Sequence, residues 1–253
     1  MRNIVVFLAI GLCSLSTVIA QKGFKIGGMV LPQMVWLSNE NDAALNENVY
    51  QAELLGGMAA GLQVGYNPTP NFGLRMNILY SQQGGKYSYL NNAETRVNQV
   101  NRLEYLKVPV MIGLNANPRH NKIMLALYGG LQFGALTKAY SYNNNTEYEL
   151  PLSESVEVFP TPLESYSGLD LSLVGDVGVD IKLNYDLVLN MHLRVDYGLR
   201  DAENKESFVR INDQGTSRTI SYWDFIRDMN NRSLTRNINL GLMIGITYTF
   251  VED

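Results

Sequence analysis

In this 253-residue chain the side chains best equipped for chemistry are two histidines, one cysteine and a set of charged residues at alternate positions. His192 stands between Asn190 and Arg194 at a spacing of two, and Ser172 and Asp196 fall in the same phase of their own segments. A hydroxyl, an imidazole and a carboxylate are the parts of an acyl-transfer triad. A spacing of two, however, puts these residues on one face of strands, opposite to the apolar face that acyl chains would reach. No catalytic residue is assigned, and the chain is not expected to be an enzyme. His120, among Asn and Arg, has no partner at a metal-ligand spacing from His192, so no metal is expected. The glycines follow a strand period rather than a strand–turn–helix phosphate cradle, so no cofactor is expected either.

The charged residues form a clearer pattern. Lys25, Arg75, Lys107, Lys138, Asp170, Asp176, Asp180, Lys182, Arg194 and Asp196 all occupy the polar phase of alternating segments. Mixed signs on a common face imply pairing, because buried ions are costly unless compensated. The set reads as a salt-bridged plug, and its sharper alternative is a narrow ion path opened by rearranging the pairs.

Strands must position these residues. Over 237–250, Ile238, Leu240, Leu242, Ile244, Ile246, Tyr248 and Phe250 alternate with Asn237, Asn239, Gly241, Met243, Gly245, Thr247 and Thr249. Alternation of this length predicts one long strand. The same phase recurs over 57–67, 72–81, 103–115, 123–134, 169–182 and 187–198, and less regularly over 24–36, which contains Pro32. Pro109 lacks a ladder donor and predicts a bulge or weak pairing. Eight strands suit closure: the expected fold is all-β, an eight-stranded antiparallel up-and-down transmembrane β-barrel.

Alternation alone does not say which face is outside, since a lipocalin-like barrel alternates with its apolar face inward. The polar faces of 57–67 and 237–250 carry Gly, Ala, Asn, Gln, Met and Thr but no charge. Water-facing strands would carry Lys and Glu, whereas small residues fit the cramped interior of eight strands. Tyr66, Phe72, Tyr80, Tyr197, Tyr248 and Phe250 near strand ends match the aromatic girdles of a membrane barrel. Eight strands are too few for a wide, water-filled pore.

Length and composition agree: 46% apolar, 17% charged and a net charge of −4 suit a folded chain without the basic cluster that nucleic acid requires. Arg2, an apolar stretch from Ile4 to Leu15 and the compact residues up to Ala20 read as a cleaved secretory signal peptide. Residues 1–20 are thus the signal peptide and 21–253 the barrel domain. Cys13 leaves with the peptide, and cysteine chemistry with it. No later apolar run reaches the roughly 18 residues of a spanning helix.

Connections alternate in length: short at 67–71, 115–121 and 184–186, long at 38–55, 86–101, 139–168 and 200–236. Membrane barrels have short periplasmic turns and longer outer loops, so both chain ends are expected in the periplasm. Loop one carries Glu40, Asp42, Glu47 and Glu53, and loop three Glu147, Glu149, Glu154, Glu157 and Glu164, all without a basic residue. Solvation explains them; cation bridging to lipopolysaccharide is the alternative, without a fixed ligand spacing. In loop four, Ser221 and Asp224 are suited to cap a short helix with Tyr222, Phe225, Ile226 and Met229 on one face and Trp223 beside them. Such a face packs on the rim, lies in headgroups or binds a partner.

Four stretches carry a family resemblance: Ile78-Leu79-Tyr80-Ser81-Gln82-Gln83-Gly84, Glu104-Tyr105-Leu106-Lys107-Val108-Pro109, Arg194-Val195-Asp196-Tyr197-Gly198-Leu199, and Gly245-Ile246-Thr247-Tyr248-Thr249-Phe250. With them the chain resembles the small outer-membrane β-barrels often labelled PorT-like. Met243 and the tail Val251-Glu252-Asp253 depart from the pattern of a terminal insertion signal. The resemblance implies residence in the outer membrane of a gram-negative cell envelope, among lipid and lipopolysaccharide, and assembly by the barrel-insertion machinery. A few such proteins belong to the type IX secretion system. Fold-level likeness implies little about activity. The expected function is a structural or binding role through the outer loops, with envelope proteins as partners. The alternatives are a narrow channel or transport component, or an accessory subunit of a type IX-like secretion assembly.

Overall fold

The computed structural model describes residues 23–43, 50–69, 71–90, 96–116, 122–143, 146–147, 156–158, 161–184, 186–213, 216–221 and 233–251. The signal peptide, His120 and the loop-four helix with Tyr222, Trp223, Phe225, Ile226 and Met229 lie outside these residues, as do Glu47, Glu149 and Glu154.

Eight strands form a closed ring: β1 (Gly23–Ser38), β3 (Leu55–Asn67), β4 (Phe72–Leu90), β5 (Arg96–Ala116), β6 (Ile123–Asn143), β9 (Leu169–Lys182), β10 (Leu187–Gly198) and β13 (Arg236–Val251). Each pairs antiparallel with the strand before and after it in that order, and β1–β13 joins first to last. Closure leaves no sheet edge within the ring, so every backbone group there has a neighbour to bond. No helix among the described residues is long and apolar enough to cross a membrane.

Burial alternates with period two. Leu62, Leu114 and Leu125 on the outside are 61%, 61% and 64% exposed, whereas Asp176, Arg194 and Lys107 on the inside are 2%, 1% and 1% exposed. The apolar face therefore points outward on every wall, which is the orientation a hydrocarbon solvent stabilises. Phe24, Tyr248 and Phe250 cluster outside at the end of the short turns, Tyr248 and Phe250 meeting edge to face at 4.9 Å.

Pro109 points into the barrel, and the β4–β5 ladder breaks at its level, from Met76–Val110 to Leu79–Lys107, without a change of register. The missing N–H weakens the pairing but makes no bulge.

Two expectations need correction. First, the long loops expected at 86–101 and from 139 are partly strand: β4 runs to Leu90, β5 starts at Arg96, and β6 runs to Asn143. Strands β5 and β6 have 21 residues each, about twice what crosses a hydrocarbon layer. Their apolar outward rows begin at the short turns, so the excess projects at the other end as a sheet arm. The short strands β2 (Tyr50–Glu53) and β7 (Thr146–Glu147) extend it beside β4 and β6. At its base Gly84 has φ +129°, and a Cβ there would collide with the Asn101 carbonyl, so only glycine fits. Second, Lys138 is exposed outside the barrel. The β5–β6 register slips between Glu104 and Tyr105, where β6 carries one extra residue, and this bulge moves Lys138 to the outer face opposite Glu104.

The remaining described elements lie at the loop end. They are α1 (Glu40–Ala43), α2 (Pro162–Ser165), and a three-stranded sheet of β8 (Val156–Val158), β11 (Phe208–Asp213) and β12 (Thr216–Ser221). Helix α2 is held by a capping box in which the Thr161 hydroxyl accepts from the Glu164 N–H and the Thr161 N–H donates to Glu164 Oε2. Asn39 Nδ2 donates to the Ser233 carbonyl at 2.8 Å, and the Ser233 N–H to Asn41 Oδ1 at 2.6 Å, tying loop one to loop four above β1 and β13.

Candidate functional site

The lumen gathers polar side chains of six of the eight strands, β4, β5, β6, β9, β10 and β13, into two clusters. Nearer the loop end, Asp196 of β10 accepts from Arg194 Nε at 2.8 Å, Gln132 Nε2 at 3.0 Å and Lys107 Nζ at 3.4 Å. Arg194 also donates from Nη2 to Gln132 Oε1 at 2.6 Å. Asn239 completes the set with its amide oxygen turned to Lys107 Nζ at 3.2 Å and Gln83 Nε2 at 2.7 Å. Gln83 Oε1 in turn accepts from Asn237 Nδ2. Arg194 and Asp196 lie on the same strand two residues apart, so their pairing follows from alternation; Lys107 arrives from the far side of the ring.

Nearer the turn end, His192 lies between two carboxylates: Nδ1 is 2.8 Å from Asp176 Oδ1 and Nε2 is 3.0 Å from Asp180 Oδ1. Arg75 reaches Asp176 at 3.4 Å and lies 3.7 Å over the Tyr128 ring, whose hydroxyl donates to Asn115. Asn190 donates to Asp180 at 2.5 Å. Glycines make room for the two rings: a Cβ on Gly178 would collide with backbone beside His192, and one on Gly113 with the Tyr128 ring.

Among the residues expected inside, Arg75, Lys107, Asp170, Asp176, Asp180, Arg194 and Asp196 are buried there, and Lys182 is half-buried at the turn end. Three ion pairs form among these: Arg75–Asp176, Lys107–Asp196 and Arg194–Asp196. Asp170 is bound instead by the Ser172 hydroxyl at 2.6 Å. The triad parts are not assembled: Ser172 faces Asp170, and the carboxylates against His192 are Asp176 and Asp180 rather than Asp196. Among the described residues no group of three His, Cys, Asp or Glu side chains is placed to hold a metal.

Sequence reading placed Ala59 and Met243 in the inward phase but did not foresee an apolar cluster in the filling. Met29, Leu31, Ala59, Leu79 and Met243 pack together inside the barrel, and Met111, Ala126, Tyr128 and Val174 form a second group. Met243, which departs from the terminal pattern, is fully buried in the first of these. Its signal was present in the sequence as a methionine in an otherwise small, polar row.

Among the described residues, the acidic loop side chains form no group placed to hold a metal. Glu53 pairs with Lys86 of the arm at 2.7 Å, and Glu164 is engaged by Thr161. The N–H and hydroxyl of Thr161 hold the Glu164 carboxyl below the usual carboxylate range.

The outer membrane protein beta-barrel domain family matches residues 20–204, well over half of the sequence. The chain belongs to that family. As a member it is an outer-membrane β-barrel protein. Among solved structures, the outer membrane protein OprG from Pseudomonas aeruginosa is 12% identical, with 92% of this chain and 98% of that one covered and a TM-score of 0.49. Neisserial surface protein A is 11% identical, with 91% and 99% covered and a TM-score of 0.44. Ail, the attachment invasion locus protein of Yersinia pestis, is 10% identical, with 90% and 99% covered and a TM-score of 0.42. At these values none of the three bears on function. No curated protein sequence matches the chain significantly.

Proposed function

We propose that this family member is a closed barrel without catalytic activity, serving a structural or binding role through its outer loops. In this reading a cleaved signal peptide delivers it across the inner membrane of a gram-negative cell, and the insertion machinery places it among lipid and lipopolysaccharide. The short turns then face the periplasm and the arm and long loops the exterior. The observation that supports closure is the Asp196 cluster, where one carboxylate accepts from Arg194, Gln132 and Lys107 across a narrow lumen. Opening a path through it would separate buried ions from their partners, at several kcal/mol for each.

Planar-bilayer recording tests this. The wild type, Asp176→Asn, Arg194→Gln and the double variant are all expected to be silent; stable unitary current steps in the wild type would replace the closed reading with the narrow channel. The loop role is tested by recovering partners from gently solubilised outer membranes with the full chain and with residues 222–230 deleted. An envelope protein held by the first and lost by the second is the expected result. A complex of secretion-assembly proteins would identify an accessory subunit of the type IX kind, and a barrel recovered alone would remove the binding role.

A further inference from the structure

The two ends of the lumen differ in charge balance. Toward the loop end, the buried charged residues of the described ring strands are Lys107 and Arg194 against Asp170 and Asp196, two of each sign, with Asp42 and Glu203 buried in the loops beyond them. Toward the turn end, Lys25, Arg75 and the half-buried Lys182 of the inward phase stand against Asp176 and Asp180, while the half-buried Asp186 accepts from the outward Tyr248 hydroxyl. His192, neutral or protonated, does not reduce that excess of positive charge. The two carboxylates are already engaged by Arg75, His192 and Asn190.

Lys25 is the cation left over. Its side chain sits on the inner face of β1, only 8% exposed, and makes no hydrogen bond or ion pair with any described residue. Arg75, Asp180 and Lys182 are the charged groups near enough to act on it. In register beside it on β13 is Thr249, fully buried, whose hydroxyl also has no partner. Side chains directly opposite on paired strands have Cβ atoms about 4.5–5.5 Å apart. On the other flank Lys25 is in register with Gly65, where an added Cβ would already stand 3.7 Å from the Lys25 Cβ. An ammonium and a hydroxyl thus share one patch of the wall, with a side-chain-free position on the far flank. A cation at a mostly buried position is costly unless it finds an acceptor, so this arrangement favours one from outside the described residues, water or an anion, at the Lys25 ammonium.

We propose that Lys25 and Thr249 form a binding site for a phosphate-type oxyanion at the turn-end mouth of the lumen, with Arg75 and Lys182 adding attraction at longer range. The Lys25 ammonium donates to one oxygen and the Thr249 hydroxyl to another, and the anion offsets the local charge excess. Such an oxyanion has two sources: free inorganic phosphate, or the phosphate of a phospholipid headgroup from the adjoining leaflet. The site is independent of how the loops are used, so failure of the loop reading leaves it standing.

The test is calorimetric titration of inorganic phosphate into the full-length protein in phosphate-free maltoside detergent micelles at constant ionic strength, with heat-modifiable gel mobility confirming the folded barrel. One phosphate binds the wild type, and Lys25→Gln weakens it about tenfold, the scale of losing a hydrogen bond to a charged group. Thr249→Val and Lys182→Gln weaken it less, and they decide the matter should Lys25→Gln fail to fold. Repeating the titration in phosphatidylcholine nanodiscs, whose headgroups carry a phosphate but no net charge, separates the sources. Weaker phosphate binding there identifies the lipid headgroup as occupant, and unchanged binding identifies free phosphate. Absence of saturable binding in the detergent micelles, or wild-type affinity in the folded variants, overturns the site.

Discussion

The lumen is filled from two sides by different chemistry. Strands β9 and β10 line their side with Asp170, Asp176, Asp180, Asn190, His192, Arg194 and Asp196, whereas β1, β3 and β13 present Met29, Leu31, Ala59 and Met243 at mid-depth. The charged wall is held by directional contacts between residues distant in sequence, such as Lys107–Asp196 and Arg75–Asp176. The apolar wall is held by packing, which has no preferred direction and tolerates substitutions of similar volume. A charged wall fails abruptly when one partner is removed; an apolar wall loses stability in proportion to the volume removed.

Substitutions on the two walls put that contrast to measurement, with urea unfolding from lipid vesicles as the common readout. Asp196→Asn has the largest expected effect, about 4 kcal/mol, because it leaves Lys107 and Arg194 buried without their shared ion-pair partner. Met243→Ala on the opposite wall is expected to cost about 3 kcal/mol through the cavity it opens. Equal or larger loss at Met243 would make packing, not pairing, the main support of the filling. Asp176→Asn comes next at about 2 kcal/mol, since Arg75 keeps its place over the Tyr128 ring and His192 keeps Asp180.

Effects outside the lumen are smaller. Thr161→Ala removes the capping box and is expected to destabilise α2 locally by about 1 kcal/mol, read as faster amide exchange at Glu164 and Ser165 with barrel unfolding unchanged. The box also has a pH signature. The Glu164 carboxyl is held below its ordinary range, so its contribution is complete above that range and is lost as pH falls through the lowered value. Exchange at the Glu164 amide should accelerate only there; acceleration already at mildly acidic pH would show that the box contributes nothing. Glu53→Gln, which breaks the half-exposed pair with Lys86, is expected to shift stability by less than about 0.5 kcal/mol and to be insensitive to lumen substitutions.

The ring strands were legible because one face of each meets lipid and the other a narrow interior, which forces apolar and small or polar residues to alternate. The arm was not legible for the same reason. In Lys86-Tyr87-Ser88-Tyr89-Leu90 and across 96–101, polar residues occur in both phases, so the period-two signal disappears although the hydrogen-bonded ladder continues. Lys138 was assigned to the lumen by carrying the phase of 123–134 forward, and the single extra residue at the bulge reversed it. Within the lumen, the buried character of the charges could be read from phase. Their partners could not, apart from Arg194 and Asp196, which are two residues apart on one strand.

The sequence by itself determined the eight ring strands, the face each turns outward and the mixed charge of the interior, because side-chain direction in a strand alternates with every residue wherever the strand pairs. Only the tertiary structure decided that His192 lies between Asp176 and Asp180, that Lys107 crosses to Asp196, and that Lys25 is left beside Thr249 without a partner. Those contacts depend on how closure staggers the strands around the ring, a property of all eight pairings together and of no single segment.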